Sequence, residues 1–254
     1  MSTCHTTPAE GSRRRLRTEF ARLVRLFGLW RNEVGDPEPF YSALAAEAAA
    51  DLDRRHGLAG AELLDLGCGP GYYTSALREA GARVVGVDMD TTGWQGTFGL
   101  VQGDATSLPF PTAGFDGVFC SNLLEHVADT AGVLAEIERV LRPGGWVYLS
   151  WTNWYSPWGG HEMTPYQYLG PERGPRLYEK RHGPPRKNRM GEGLFAVHVG
   201  PTLELLSRRR GLEVVSVVPR YWPWLSFVTS IPGVREVVTW NCLIRMRRRW
   251  DDFR

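Results

Sequence analysis

Leu63-Leu64-Asp65-Leu66-Gly67-Cys68-Gly69-Pro70-Gly71-Tyr72-Tyr73 is the stretch on which the fold turns. Leu63, Leu64 and Leu66 read as a buried strand. Gly67, Gly69 and Gly71 then let the backbone turn tightly and approach a ligand closely, since no Cβ stands in the way. A helix begins just beyond, and its first N–H groups are free to meet a negatively charged group. A Gly-x-Gly-x-Gly loop alone also fits a dinucleotide-binding domain, so the residues that follow must decide.

Some twenty residues on, Arg83-Val84-Val85-Gly86-Val87-Asp88-Met89-Asp90 reads as a second apolar strand ending in an acid. A carboxylate at that spacing can accept hydrogen bonds from both hydroxyls of a ribose. Then come Val101-Gln102-Gly103-Asp104-Ala105, Leu108-Pro109-Phe110, Phe115-Asp116-Gly117-Val118-Phe119-Cys120-Ser121-Asn122-Leu123-Leu124-Glu125-His126-Val127, and Val140-Leu141-Arg142-Pro143-Gly144-Gly145-Trp146-Val147-Tyr148-Leu149-Ser150. This ordered set resembles the class I S-adenosylmethionine-dependent methyltransferases over Leu63 to Ser150. The form of the glycine loop, Gly103-Asp104-Ala105 and the Leu-Arg-Pro-Gly-Gly turn count against a nicotinamide or flavin domain.

The resemblance implies a cofactor site. Gly67, Cys68, Gly69 and Gly71 would lie against the methionine part and ribose of S-adenosylmethionine. Asp65 would face the ammonium, Asp88 the ribose and Asp104 the adenine amine, with an N–H from Ala105 beside it. Ser121 would give a main-chain contact near the methionine. Tyr73, Met89 and Asn122 flank these positions and are counted with them. Read without the resemblance, Asp88 and Asp104 could be turn or helix-capping residues.

The bulk properties agree with one elaborated α/β domain: 254 residues, 43% hydrophobic, 23% charged, as in ordinary globular proteins. A net charge of +2 gives no electrostatic reason for a nucleic-acid partner. Cys4, Cys68, Cys120 and Cys242 show no paired or metal-binding spacing, which fits a reduced cytoplasmic setting. The arginines of Met1–Arg15 are followed by no uncharged apolar run, so no signal peptide is expected. No stretch is long and apolar enough to span a bilayer. The heavy use of Arg over Lys suggests a bacterial, high-GC genome.

Along the chain, Met1–Ser12 is expected to be disordered. Arg13–Trp30 carries Leu16, Phe20, Leu23, Val24 and Phe27 at helical spacing between arginines. It reads as a cap helix over the cofactor site, or as a basic amphipathic helix at a membrane surface. Residues 1–40 thus form a tail and cap; 41–254 form the cofactor-binding domain. Phe40–Arg55 is a helix. Strands are expected near Glu62–Leu66, Arg83–Val87, Leu100–Gln102, Gly117–Ser121, Trp146–Trp151, Leu212–Val218 and Thr239–Arg247. The first six read as parallel and the last, by the resemblance, as antiparallel: a Rossmann-like, doubly wound, seven-stranded sheet. Helices fall near Tyr73–Glu79, Ala128–Leu141 and Pro201–Arg210. Thr91–Gly99 is too short and glycine-rich for a full helix.

Residues 152–200 are long, aperiodic and rich in aromatic residues, and read as a substrate-binding lid. Methyl transfer to a hydroxyl gains from a positioned base, and histidine is the first choice. His161, in Ser156-Pro157-Trp158-Gly159-Gly160-His161-Glu162, is the leading candidate, with Glu162 to orient or charge-tune its ring. His126 reads first as pocket floor and second as a base. His198 points into the cleft or is simply buried. Trp151, Trp154, Tyr155 and Trp158 would line the acceptor pocket, or form the lid's own small core. No tight His/Asp/Glu spacing argues for a metal.

The leading expectation is methyl transfer to a small-molecule acceptor, most often a hydroxyl of a natural product or sugar-containing metabolite. The alternatives are a cofactor-binding enzyme that transfers no methyl, and a glycolipid or polysaccharide methyltransferase at a membrane surface. The oligomeric state is open, a homodimer being one option.

Overall fold

The computed structural model describes residues 8–32, 35–94 and 99–250; for 8–17 only the backbone course is described. Cys4 and the tail before Pro8 lie outside these residues. Helix α1 (Pro8–Trp30) starts inside the segment expected to be disordered, and α2 (Glu38–His56) follows. The sheet then builds up as β1 (Glu62–Leu66), α3 (Tyr72–Glu79), β2 (Arg83–Asp88), β3 (Leu100–Gln102), β4 (Phe115–Ser121), α4 (Thr130–Val140), β5 (Leu141–Thr152), α5 (Arg173–His182), α6 (Val199–Ser207), β6 (Leu212–Pro219), α7 (Val234–Val238) and β7 (Asn241–Arg248).

The seven strands lie in the order β3-β2-β1-β4-β5-β7-β6. β1 to β5 pair in parallel, while β7 runs antiparallel between β5 and β6. The order reverses between β1 and β4, where the C-terminal strand ends open a crevice. Both faces are buried, which is why the strands read as continuous apolar runs. One face packs Leu64, Leu66, Val118, Cys120 and Ile244 against α4 and α6. The other packs Leu63, Phe119, Tyr148 and Leu243 against α2, with Leu26 of α1 joining that cluster.

β5 begins at Leu141, so the Leu-Arg-Pro-Gly-Gly segment is strand rather than turn. The register shifts between Phe115 and Gly117, and Gly144 takes φ +79° to absorb the irregularity. Gly117 is required here, because an added Cβ would fall 2.3 Å from the Trp146 indole. No helix follows β2 among the described residues; Thr92 and Gly93 make a turn that Asp90 closes by accepting from Thr92. Between β6 and β7 stand a 3₁₀ segment (Pro223–Ser230) and α7.

The lid has its own small core of Trp154, Met163 and Leu194. A 3₁₀ turn at His161–Met163, another at Tyr166–Leu169, and α5 give it structure.

Candidate active site

The glycine loop sits at the C-terminal end of β1. Gly67, Gly69 and Gly71 have φ of +74°, +48° and +93°, a region L-residues enter only at a cost. Gly67 and Cys68 both donate to the Val87 carbonyl, and Asp88 Oδ2 accepts from Gly69 N at 2.8 Å. The loop is thereby pinned to the end of β2. An added Cβ at Gly69 would meet no described residue within 4 Å, so the described residues leave open space at the centre of the loop. At Gly71 the same Cβ would lie 2.7 Å from Trp94, which covers that end of the loop. The sequence reading did not single out Trp94, whose one signal is a tryptophan standing in a glycine-rich turn.

The acids are arranged around this loop. Asp65 is buried and accepts from Thr74 Oγ1 at 2.6 Å. Burial, reinforced by the charge of Asp88 and opposed by Thr74, raises its pKa to about 7. Asp104 accepts from Thr106 N and Oγ1 through Oδ1, which lowers its pKa. That bonding is a turn motif made through Oδ1. Met89 is 65% exposed, beside Asp88. Ala105 is buried behind Asp104 in the main core.

The methionine end holds a second missed residue. Arg220, just past β6, is 6% exposed. Its Nη1 donates to Ser121 Oγ at 3.0 Å and its Nη2 to the Tyr73 hydroxyl at 2.7 Å. The guanidinium carbon lies 5.5 Å from the Tyr73 ring centre and 5.7 Å from that of Tyr148. Arg220 also lines a cavity of about 350 Å³ beneath α1 and α2, where Arg22 pairs with Glu47 and Arg245 with Asp51. No carboxylate pairs with Arg220 among the described residues. A buried cation without a counter-charge is costly. Tyr73 itself packs on Phe119, at 4.7 Å between centroids, so it bears on the cofactor site through Arg220.

The acceptor side is built where β4 ends. Asn122 takes a left-handed conformation, φ +55°; its N–H donates to Ser150 O and its Oδ1 accepts from Asn241. The chain then makes a 3₁₀ turn at Leu124–His126. His126 Nδ1 lies 2.7 Å from the Gly193 carbonyl. A carbonyl can only accept, so Nδ1 carries a proton and neutral His126 keeps its lone pair on Nε2. The His161 ring stands edge-on to His126 at 5.3 Å, and His161 is a non-glycine residue at φ +47°. Backbone strain of this kind gathers at functional sites. His161 Nδ1 meets the Asn188 Nδ2 donor at 3.3 Å, which leaves the ring proton on a buried Nε2 with no partner among the described residues. Burial, then the neighbouring His126, lowers its pKa to about 4 against the pull of Glu162.

With both rings neutral, the two histidines present opposite faces, His126 an acceptor and His161 a donor. Glu125, beside them, is buried: Oε1 accepts from Thr152 N, and Oε2 has no partner among the described residues. Burial pushes its carboxyl up, and a proton on His126 would oppose that rise. Lid and core are stitched together here, since Phe195 N donates to Glu125 O beside the Gly193–His126 bond.

Other expectations need correction. Glu162 does not orient His161. Its two oxygens accept from Arg186 N and Lys187 N at 2.9 and 3.0 Å, so it ties the two arms of the lid together. Trp151 is fully buried in the main core and Trp154 in the lid core, so neither ring faces an open pocket. Tyr155 and His198 lie 5.3 Å apart, and His198 Nδ1 is 3.8 Å from Glu236. Trp158 touches Trp30 of α1, Tyr221 and Trp240, so it joins the lid to the cap helix. No group of His, Cys, Asp and Glu among the described residues is placed to hold a metal.

The comparisons with known proteins agree with this geometry. A family model described as a methyltransferase domain matches residues 64–149. An uncharacterized methyltransferase of Mycobacterium avium (strain 104) is 40% identical over 245 residues, covering 90% of this chain and 95% of the relative. An S-adenosylmethionine-dependent methyltransferase from Mesorhizobium loti shares the fold at a TM-score of 0.53 and 24% identity, over 75% of this chain and 92% of that one. The 4+2 cyclase SpnF shares it at 0.51 and 18%, over 80% of this chain and 81% of that one, so the fold alone does not fix the chemistry.

Proposed function

The chain belongs to the class I S-adenosylmethionine-dependent methyltransferases, and on that footing we propose that it methylates a hydroxyl of a small-molecule acceptor held beneath the lid, such as a natural product or sugar-containing metabolite. Bound S-adenosylmethionine supplies the electrophilic methyl group. The protein must hold the acceptor oxygen in line and take its proton. The observation that carries the reading is the hydrogen bond that His126 Nδ1 donates to the Gly193 carbonyl, which leaves Nε2 of the neutral ring free to accept. Gly193 commits His126 to an Nε2 lone pair, so His126 is the base. His161, kept neutral and proton-bearing at a buried Nε2, donates a hydrogen bond to the acceptor molecule and holds it beside His126. This reverses the order in which the sequence ranks the two histidines.

The cofactor fits the residues present. The open cradle at Gly69 takes its body, and Asp88 lies within reach of the ribose. Asp65 faces the ammonium. Arg220, a buried cation with no counter-charge among the described residues, would pair with the carboxylate.

The test is product formation. The purified chain, given S-adenosylmethionine and a panel of hydroxylated metabolites, should release S-adenosylhomocysteine with at least one. His126→Asn should lower turnover by roughly 10²–10⁴-fold while leaving cofactor affinity unchanged. Turnover that survives in His126→Asn and is lost in His161→Asn would restore His161 as the base. A bound cofactor that stays intact with every acceptor would refute methyl transfer to oxygen.

A further inference from the structure

Helix α1 presents an apolar stripe to solvent. Its inward side holds Leu26, 3% exposed, and Arg22, which pairs with Glu47 and donates to the Tyr221 carbonyl. Its outward side carries Phe20, Val24 and Phe27, exposed at 69%, 56% and 58%. Spacings of four and three residues put these three on one face. Single exposed apolar residues are ordinary, but an aligned set marks a contact surface.

Two further observations say what covers the stripe. Arg25 and Arg31 are exposed beside it and form no ion pair among the described residues. In a symmetric dimer built on this face, the stripe would meet its own copy and bring those arginines toward each other. An anionic bilayer instead takes the aromatic rings into its interface and the arginines at its headgroups. The stripe is also continuous with the acceptor side. Phe27 touches Trp30 at 5.4 Å, and Trp30 touches Trp158 of the lid at 5.2 Å.

We propose that α1 docks this enzyme on anionic phospholipid membranes, with Phe20, Val24 and Phe27 inserted at the interface and Arg25 and Arg31 on the headgroups. No helix among the described residues is long and apolar enough to cross the membrane, so the attachment is peripheral. The acceptor drawn into the lid would then be an amphiphile with a free hydroxyl, an extension that rests on the methyl-transfer reading.

Vesicle flotation of the full chain tests the docking. Phosphatidylcholine vesicles are compared with vesicles containing phosphatidylglycerol, at low and high salt, for wild type and for Phe20→Ser/Phe27→Ser. The wild type should float with the anionic vesicles only, and salt should release it. The double variant should partition about tenfold or more weakly, with an unchanged melting temperature because both rings are exposed. Absence of flotation by the wild type, or equal flotation by the variant, would overturn the proposal. So would light scattering that shows a wild-type dimer which the variant dissolves, since the stripe would then be a self-association face. S-adenosylhomocysteine titrations on the same preparations, without vesicles, judge the cofactor reading separately: cofactor binding with no flotation removes only the docking.

Discussion

Replacing Arg220 with methionine isolates the charge at the methionine end of the cofactor site. Methionine keeps much of the aliphatic bulk but loses the donors to Ser121 Oγ and the Tyr73 hydroxyl, at 3.0 and 2.7 Å. Those two bonds contribute stability of about 0.5–1.5 kcal/mol each. In a chain of this size each kcal/mol shifts the melting temperature by about 2–4 °C, so the free variant melts several degrees lower. Relief of an uncompensated buried charge offsets part of that loss. Binding behaves differently. A charge-assisted hydrogen bond to the cofactor carboxylate is worth roughly 1.5–3 kcal/mol, so S-adenosylhomocysteine should bind about 10- to 150-fold more weakly. 5′-Methylthioadenosine has the adenosine and sulfur but no carboxylate, and its affinity should hardly change. Calorimetric titration of both ligands against both proteins reads the difference. Equal weakening of both ligands would make Arg220 a packing residue of the pocket wall. No weakening of either would leave its buried charge without a role in cofactor binding.

The remaining predictions follow from the same geometry. His126→Asn should lower kcat by roughly 10²–10⁴-fold with any acceptor that turns over, and His161→Asn should act mainly on KM; steady-state kinetics of the pair separates the roles. Gly69→Ala should cost about 1–2 kcal/mol for its left-handed conformation and weaken cofactor binding, because its Cβ enters open space. Gly71→Ala adds a collision with Trp94 and should melt lower still, by thermal unfolding of both variants. With its folded pKa raised from 3.8 to about 7, Asp65 contributes stability that is full below pH 3.8 and is lost as pH rises through 7. Asp65→Asn should remove that decline. At pH 7, placing an ammonium beside Asp65 should release up to about half a proton, seen as a buffer-dependent binding enthalpy that Asp65→Asn abolishes. His161 acts in the opposite sense: its pKa is held at about 4, so its contribution is full above 6.5 and falls away between 6.5 and 4. His161→Asn should flatten the acid side of the stability curve.

The glycine loop and the acid beside it were legible because their signals are local. Strand, glycine turn and helix are adjacent in the chain, and an acid at the end of the next strand falls beside the loop by parallel pairing. The strands were legible for a similar reason, since burial on both faces leaves unbroken apolar runs. The acceptor half depends on distant pairings. Nothing around His126 reveals that Gly193, 67 residues later, will fix its tautomer, or that His161 will come to stand against its ring. Glu162 lies next to His161 in sequence, yet the left-handed backbone there turns its carboxylate toward Arg186 and Lys187. Arg220 reads as one arginine among many; only the fold brings it to Ser121 and Tyr73, with no acid paired to it among the described residues. The strand start at Leu141 was hidden because Pro143, Gly144 and Gly145 have the composition of a turn, and the bulge opposite Gly117 is what admits them.

The most direct test is calorimetric titration of S-adenosylmethionine and S-adenosylhomocysteine against the wild type and Asp88→Ala. Asp88 binds the glycine loop through Gly69 N and is assigned to the ribose. The account predicts micromolar or tighter binding to the wild type and a loss of at least tenfold in the variant. No binding to the wild type, or undiminished binding to Asp88→Ala, would contradict it.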